Sequence, residues 1–216
     1  DFVKRGGKFV DEACVELGVG RNMVSSIRFW LKAYGIIDRN TEKATAIADF
    51  LFDDEKGNDK YLEDEASLWL LHYLLITTKY SSIYSEIFND FRKLKPEFDK
   101  ENFKVFIHEK YSNINTNTLA KDFSVFLRTY FSKNTKDKED SFSGLLSELE
   151  LLHEIEKKDS KAKFSVRNNK EGNIPIELIL FIILENESYG NSISFKSLYT
   201  DFDSVGSIFA LNNNQL

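Results

Sequence analysis

Apolar residues recur every three or four positions along most of the chain, a period that predicts helices rather than strands. Val24, Ile27 and Leu31 share one face of a helix predicted over 23–34. The same period predicts further helices over 82–93, 100–111 and 118–130. Only two prolines interrupt the chain, which also favours helix. We therefore expect a mainly α protein.

The N-terminal part has the order of a helix-turn-helix. A short helix predicted over 11–17 is followed by Gly18-Val19-Gly20, which is typical of a tight turn. The helix over 23–34 comes next, with Asn22 as its expected N-cap. Ile36 and Ile37 then favour an extended strand. Helix, turn, second helix and extended segment together predict a winged-helix unit.

The rest of the chain is predicted to alternate helices with short extended pieces. Asp64 is expected to cap a strongly apolar helix that contains Trp69 and His72, and Pro175 is expected to open another helix. We also predict a helix over 143–156, a strand over 163–168, a short helix after Ser194 and a turn at 204–207. The predicted fold is mainly α, built from several winged-helix or helix-turn-helix units with short β-wings.

Three regions of winged-helix size account for the chain. Residues 1–60 form the expected N-terminal winged-helix unit. Residues 61–140 form a helical middle region with a candidate second helix-turn-helix, and residues 141–216 form a C-terminal winged-helix-like unit.

The composition is that of an ordinary globular protein, with 216 residues, 42% hydrophobic residues and a net charge of −6. The one cysteine, Cys14, excludes a disulfide framework and a cysteine-rich zinc site within the chain. No apolar run reaches the ~20 residues of a membrane span, so we expect a cytoplasmic protein without a membrane partner. Because the chain begins with Asp1 rather than Met, we also expect a piece of a longer protein.

Local charge is more informative than net charge, because phosphate binding depends on local potential. Residues 17–39 contain four basic residues and one acid, whereas residues 40–65 contain nine acids and three lysines. A DNA-reading helix needs small or amide side chains near its N-terminus for base edges and cations beside them for phosphates. The expected DNA-binding residues of the second helix are Arg21, Asn22, Ser25, Arg28 and Lys32.

A second candidate DNA surface lies further along the chain. Lys121 and Arg128, seven residues apart, share the outward face of the helix predicted over 118–130. Phe29 fits a DNA surface less well, since an exposed aromatic ring in that position favours packing on a neighbouring element. A helix-turn-helix used only for protein contacts is the open alternative.

Side chains suited to catalysis are sparse. The three histidines are isolated in sequence, and His72 lies in an apolar helix, where a buried structural role is expected. Carboxylates occur in local runs, and the candidate metal ligands among them are Asp53, Asp54, Glu63, Asp64 and Asp140. Such runs are typical of solvated acidic loops, so we predict no preformed metal site and no cofactor. Mg²⁺ or Mn²⁺ would be needed only if the protein cleaves DNA.

Several stretches resemble a known bacterial family. The most specific are 15–24 (VELGVGRNMV), 27–31 (IRFWL), 35–37 (GII), 61–64 (YLED) and 68–72 (LWLLH). Further agreement follows at 119–128, 145–152 and 206–211. Together they resemble the domain-of-unknown-function family numbered four thousand and seven, to which SspB-like proteins of DNA phosphorothioation clusters are similar. Lys60 departs from the pattern, because a proline is expected before YLED.

The resemblance implies a DNA-binding accessory of a sulfur-modification and phage-defence system. Its implied partners are double-stranded DNA and the phosphorothioation enzymes of the same cluster. SspB-like relatives are associated with strand nicking, so a metal-dependent nicking endonuclease is the first alternative. A helical scaffold that recruits the modification enzymes is the second. Three carboxylates within reach of one metal would favour the nickase, and an exposed apolar patch would favour the scaffold.

Overall fold

The structure is a computed structural model that describes residues 2–9, 11–131, 144–155, 162–168, 174–212 and 214–215. This described part is mainly helical and contains a two-stranded antiparallel sheet, which confirms the predicted fold class at that level. The winged-helix units stay a prediction. The chain forms two compact units, Asp1–Ser81 and Ser82–Leu216. The three regions expected from the sequence are a different division, which also stays a prediction.

The first unit is described as four helices and the loops between them. The helices are α1 (Asp11–Leu17), α2 (Arg21–Ala33), α3 (Ala46–Phe52) and α4 (Glu65–Thr77). α1, α2 and α4 correspond to predicted helices. α3 was not predicted from the sequence.

α4 supplies the core of the first unit. The Asp64 side chain accepts a hydrogen bond from the Ala66 amide at 2.9 Å, which confirms it as the N-cap. Trp69 and His72 are fully buried, and their rings meet edge-on with centroids 6.0 Å apart. The predicted burial of His72 is therefore confirmed.

The second unit begins with α5 (Ser82–Glu86), which continues through a π-helical turn (Ile87–Phe91) into α6 (Arg92–Leu94). The elements that follow are α7 (Lys100–Lys110), α8 (Thr116–Tyr130), a 3₁₀ turn (Ser147–Leu149), β1 (Leu152–Ile155), β2 (Lys163–Val166), α9 (Ile176–Glu185), α10 (Phe195–Thr200) and α11 (Val205–Ile208). β1 and β2 pair antiparallel, with Leu152 opposite Val166.

Phenylalanine rings fill the core of the second unit. Phe103 of α7 and Phe123 of α8 stack with centroids 5.4 Å apart, and Phe91 contacts Phe98 at 5.0 Å. Phe98 also exchanges two backbone hydrogen bonds with Phe164 of β2, at 2.9 and 2.8 Å. The same aromatic cluster therefore joins the helices to the small sheet.

Arg92, just after the π-helical turn, holds the C-terminal segment in place. Its Nη2 donates hydrogen bonds to the carbonyl oxygens of Gly206 at 2.9 Å and Ser207 at 3.2 Å, both in α11. Its Nε donates to the Phe88 carbonyl at 2.9 Å. Loss of solvent around the guanidinium lowers the pKa of Arg92 to about 10, so the group is still charged at neutral pH.

Two neighbours of Arg92 reinforce this attachment. The Asn89 side-chain amide donates to Asp203 Oδ1 at 2.8 Å, and the Asp203 backbone amide donates back to Asn89 Oδ1 at 2.7 Å. Lys93 Nζ donates to the Thr200 carbonyl at 3.0 Å, at the end of α10. The C-terminal helices are thus fixed to the π-helical turn and α6 by specific polar contacts as well as by packing.

Two local predictions were wrong. Residues 144–155, expected to be helical, form the 3₁₀ turn and strand β1. Leu146, Leu149 and Leu152 are all buried, and a spacing of three places residues on one side of a 3₁₀ turn as well as of a helix. Residues 204–207, expected to be a turn, open α11, because the Ser204 hydroxyl caps the Ser207 amide.

Gly206 provides a test of how tightly α11 is packed. A Cβ atom at Gly206 would lie 2.5 Å from the Tyr199 carbonyl oxygen and 2.8 Å from its Cα. Gly206→Ala is expected to lower the free energy of unfolding by ~1–3 kcal/mol, because backbone must move to make room. Urea denaturation followed by circular dichroism measures this loss. Gly190→Ala is the matched control, since its Cβ would meet nothing within 4 Å. Equal stability of the two variants would contradict the close approach.

Candidate nucleic-acid interface

The connection between α1 and α2 is three residues long, as predicted. Gly18 has a φ of +65°, which favours glycine, and the Val19 amide donates to the Cys14 carbonyl at 3.1 Å. Gly20 is extended and takes the N-cap position of α2, without a side-chain hydrogen bond. Asn22, the expected N-cap, therefore lies inside the first turn of α2.

The first half of α2 presents three of the predicted DNA-binding residues to solvent. Arg21, Asn22 and Ser25 are all exposed. Val24, on the opposite side of the helix, is buried, and so is Ala33 near its end. One side of α2 is therefore held by the core while the polar side at its N-terminal end faces solvent.

The second half of α2 carries an ion-pair cluster centred on Glu42. Arg28 donates to Glu42 Oε1 from Nε at 2.7 Å and also from Nη2. Lys32 Nζ donates to the same oxygen at 2.6 Å. The hydrogen bond from Lys32, with the contact from Arg28, lowers the pKa of Glu42 below its ordinary value, so the carboxylate is ionised at neutral pH.

The expectation that Lys32 lies on the outward face of α2 is wrong. Lys32 is only 7% exposed. Its ammonium group also donates to the Arg39 carbonyl at 2.9 Å, in the loop that follows α2. Lys32 would have to leave both partners before it contacted a phosphate, whereas Arg28 is exposed and needs to leave only Glu42.

The loop over residues 38–43 adds two cations that the sequence analysis did not assign to the site. Arg39 and Lys43 are exposed, and the loop is closed by an antiparallel bridge between Ile37 and Ala44. Asp38 shapes the turn by accepting a hydrogen bond from the Thr41 amide at 2.7 Å, which is the main reason that its pKa is lowered. In the sequence, this loop is indicated by Ile36 and Ile37 followed by a run of polar residues.

Tyr80 connects the loop to α2. Its ring lies 5.3 Å from the Phe29 ring, and the Arg39 guanidinium lies over it at 5.5 Å from the centroid. Phe29 also meets Trp30 edge-on at 5.5 Å. Phe29 therefore packs on a neighbouring residue, as expected, rather than forming part of the polar surface.

The second candidate surface lies on α8, in the other compact unit. Lys121 and Arg128 are both exposed, and Arg128 Nε donates to the Ser124 carbonyl at 3.4 Å. Seven residues correspond to about 10.5 Å along a helix, so the two cations sit two turns apart on the same side. Asp122, between them in sequence, is half-buried, and burial raises its pKa.

Three of the five candidate metal ligands have structural partners. Asp53 accepts from Lys4 Nζ at 2.8 Å and from the backbone amides of Glu55 and Lys56, and the pKa of Asp53 falls to about 2, chiefly because of Lys4. Asp54 pairs with Lys60. Asp64 caps α4, Glu63 is exposed, and Asp140 lies outside the described residues.

A pair of carboxylates in the second unit is bridged by a lysine. Lys110 Nζ lies 2.7 Å from Glu86 Oε2 and 2.7 Å from Asp90 Oδ2, and the Tyr111 hydroxyl donates to Glu86 Oε1 at 2.6 Å. Burial acts to lower the pKa of Lys110, but its hydrogen bonds to the two carboxylates raise it overall. An ammonium group thus occupies the position between the carboxylates.

The donor groups that the structure describes do not fit a divalent cation. Within the part of the chain that the structure describes, no three His, Cys, Asp or Glu side chains lie together in a group able to hold a metal. His72 is fully buried, and His108 and His153 lie beside Thr116 and the Arg167 carbonyl instead of a second metal ligand. Of the helices described, none is long and apolar enough to cross a membrane.

Two solved structures have a similar fold. The SspB crystal structure matches with a TM-score of 0.75, and the magnesium ion-bound SspB crystal structure matches with a TM-score of 0.78. Each is 23% identical to this chain and covers 94% of it. The chain spans 65% of the length of each of these neighbours. No curated protein matches the sequence.

The family resemblance noted from the sequence is confirmed over the whole chain. The model of the family described as "Protein of unknown function (DUF4007)" matches residues 1–216, and the protein therefore belongs to the DUF4007 family.

Proposed function

We propose that this protein binds duplex DNA through α2, as a component of a bacterial DNA phosphorothioation and phage-defence system. The observation that carries the proposal is the exposed surface of Arg21, Asn22 and Ser25 on the N-terminal half of α2. That half follows a short turn after α1, and its other side is packed into the core. This arrangement has the backbone order of a helix-turn-helix, in which the second helix enters the major groove.

Each exposed residue has a role in this proposal. The Asn22 amide and the Ser25 hydroxyl reach base edges, for which their paired donors and acceptors suit them. Arg21 and Arg28 contact phosphates on either side, where cations supply most of the affinity. The positive end of the α2 dipole adds to the attraction for phosphate.

The loop over residues 38–43 acts as the wing in this proposal. Arg39 and Lys43 are exposed on the loop, whose position relative to α2 is fixed by the hydrogen bond from Lys32 to the Arg39 carbonyl. A wing that carries two cations beside a recognition helix is suited to the adjacent sugar-phosphate backbone. Lys121 and Arg128 provide a second phosphate contact on the other unit.

The pathway assignment rests on family membership and on fold. Both of the similar solved structures are structures of SspB. The sequence resemblance to the DUF4007 family also implies a phosphorothioation cluster. The proposed partners are therefore duplex DNA and the modification enzymes of that cluster, in the cytoplasm, where the chromosome is.

The first test removes the two exposed arginines of α2. Arg21→Gln with Arg28→Gln is expected to weaken duplex binding about tenfold or more and to flatten the salt dependence by up to ~1.8, at ~0.9 for each lost phosphate contact. Fluorescence anisotropy with a labelled duplex at several salt concentrations measures both quantities. The matched control, Lys56→Gln with Lys95→Gln, removes the same charge from two exposed lysines that are not part of α2. If both double variants lost the same duplex affinity, the effect would come from net charge alone, and the proposed DNA surface would be wrong.

The second test changes the carboxylate that neutralises the surface. Glu42→Gln keeps the size of the side chain but removes the charge held by Arg28 and Lys32. A unit charge ~8 Å from a phosphate contributes ~0.5 kcal/mol in water, so duplex binding should become about twofold tighter. Glu63→Gln, which removes an exposed acid elsewhere in the same unit, should change binding less. A gain of the same size in Glu63→Gln would place Arg28 and Lys32 outside the DNA contact.

Metal-dependent nicking is the second candidate function, and one observation favours it: a structural neighbour is described as magnesium ion-bound. The carboxylates of the described residues do not form a group able to hold a metal, so we derive no cleavage step. We expect DNA binding to persist in EDTA and supercoiled plasmid to stay intact in Mg²⁺ or Mn²⁺. Nicking by the purified chain that is lost in Asp53→Asn or Asp54→Asn would establish the nickase instead.

A further inference from the structure

Helix α9 has an apolar side that the described structure leaves in solvent. Ile176, Leu180 and Leu184 repeat every four residues and are 66%, 53% and 83% exposed. Leu178 and Ile182 of the same helix are buried, so α9 packs against the rest of its unit through a different side. Three large apolar side chains in one exposed row exceed the scattered single residues that ordinary surfaces carry.

The charge along this row has one sign. Glu177 and Glu185 lie on the same flank of the row and are both exposed, and Glu187 follows just after the helix. No lysine or arginine occurs between residues 174 and 195. The C-terminal end of the α9 dipole is also negative, so this end of the row favours a cation.

We propose that the exposed row of α9 binds a basic amphipathic helix of a partner protein. The partner helix supplies apolar side chains at a spacing of three and four, which pack against Ile176, Leu180 and Leu184. Its lysines or arginines lie beside Glu177 and Glu185. This site lies in the second compact unit and is independent of the proposed DNA contact on α2.

Charge argues against an antiparallel second copy of this chain as the occupant. In an antiparallel two-fold pair of α9 helices centred on Leu180, the same flank of each helix meets its own equivalent. Glu177 and Glu185 of one copy would then lie beside Glu177 and Glu185 of the other, and like charges at such a contact oppose association. A partner with basic flanks removes that repulsion.

The proposal is tested by measuring how tightly two labelled helical peptides bind to the whole chain. They share one leucine face and differ only in flanking residues, which are lysine in the first peptide and glutamate in the second. We expect the lysine peptide to bind about tenfold or more tightly than the glutamate peptide, with an affinity that falls as salt rises. Fluorescence anisotropy measures both. Equal binding of the two peptides, or binding of neither, would overturn the proposal.

Variants then locate the contact. Leu180→Glu with Leu184→Glu is expected to reduce binding of the lysine peptide about tenfold, and Glu177→Gln with Glu185→Gln to reduce its salt dependence. The matched control is Val105→Glu, which changes an exposed apolar residue on α7 and should leave peptide binding unchanged. Duplex binding should be the same in all of these variants, so loss of this site is distinguishable from failure of the DNA proposal.

A loss in Val105→Glu equal to that in the leucine variant would overturn the assignment to α9. So would a wild-type dimer in analytical ultracentrifugation that the leucine variant abolishes, because the occupant would then be a second copy.

Discussion

A single carboxylate, that of Glu42, connects the second half of α2 to the loop that follows it. Glu42 has a φ of +58°, a backbone conformation that residues other than glycine rarely adopt. The hydrogen bonds from Arg28 and Lys32 to its side chain offset the cost of that conformation. Since Lys32 also binds the Arg39 carbonyl, the loop and the second half of α2 form one connected polar cluster. The first half of α2 is left with its polar side in water.

The second unit uses a different kind of constraint. Its helices and sheet share an aromatic core, but its C-terminal segment is attached by hydrogen bonds that Asn89, Arg92 and Lys93 donate to backbone and side-chain oxygens. Such bonds require one register, because each donor must meet its own acceptor. α9 contacts α11 in this segment, so the exposed row of α9 belongs to a part of the chain that is fixed to the rest of the unit.

Features set by neighbouring residues were only partly predictable from the sequence. The predicted cap at Asp64 depends on a backbone amide two positions away and is present, whereas Asn22, also predicted as a cap, lies inside the first turn of α2. A capping serine and a turn serine make the same local hydrogen bonds, so Ser204 was assigned to a turn when it opens a helix.

The wrong and missing parts of the site depend on contacts that cross the chain. Helical spacing places Lys32 among the polar residues of α2, but its burial follows from Glu42 and the Arg39 carbonyl, which lie in the next loop. The exposed row of α9 was also not predicted. An apolar helix gives the same pattern whether its partner belongs to the same domain or to another molecule, and only the exposed side chains separate the two cases.

In the proposed function, the two base-reading residues, Asn22 and Ser25, lie within one turn of α2, which limits how much sequence the protein would read. Three residues advance about 4.5 Å along a helix, which corresponds to between one and two base pairs of DNA at 3.4 Å each. Even a sequence of two or three base pairs recurs by chance every ~16 to ~64 positions, which is far too often to mark a unique site in a genome. Selectivity for particular loci would therefore have to come from chemistry beyond this helix, such as additional phosphate contacts, DNA shape or a second protein bound at the same place. If the proposed function holds, the position of this protein on DNA would depend on the other proteins that bind beside it.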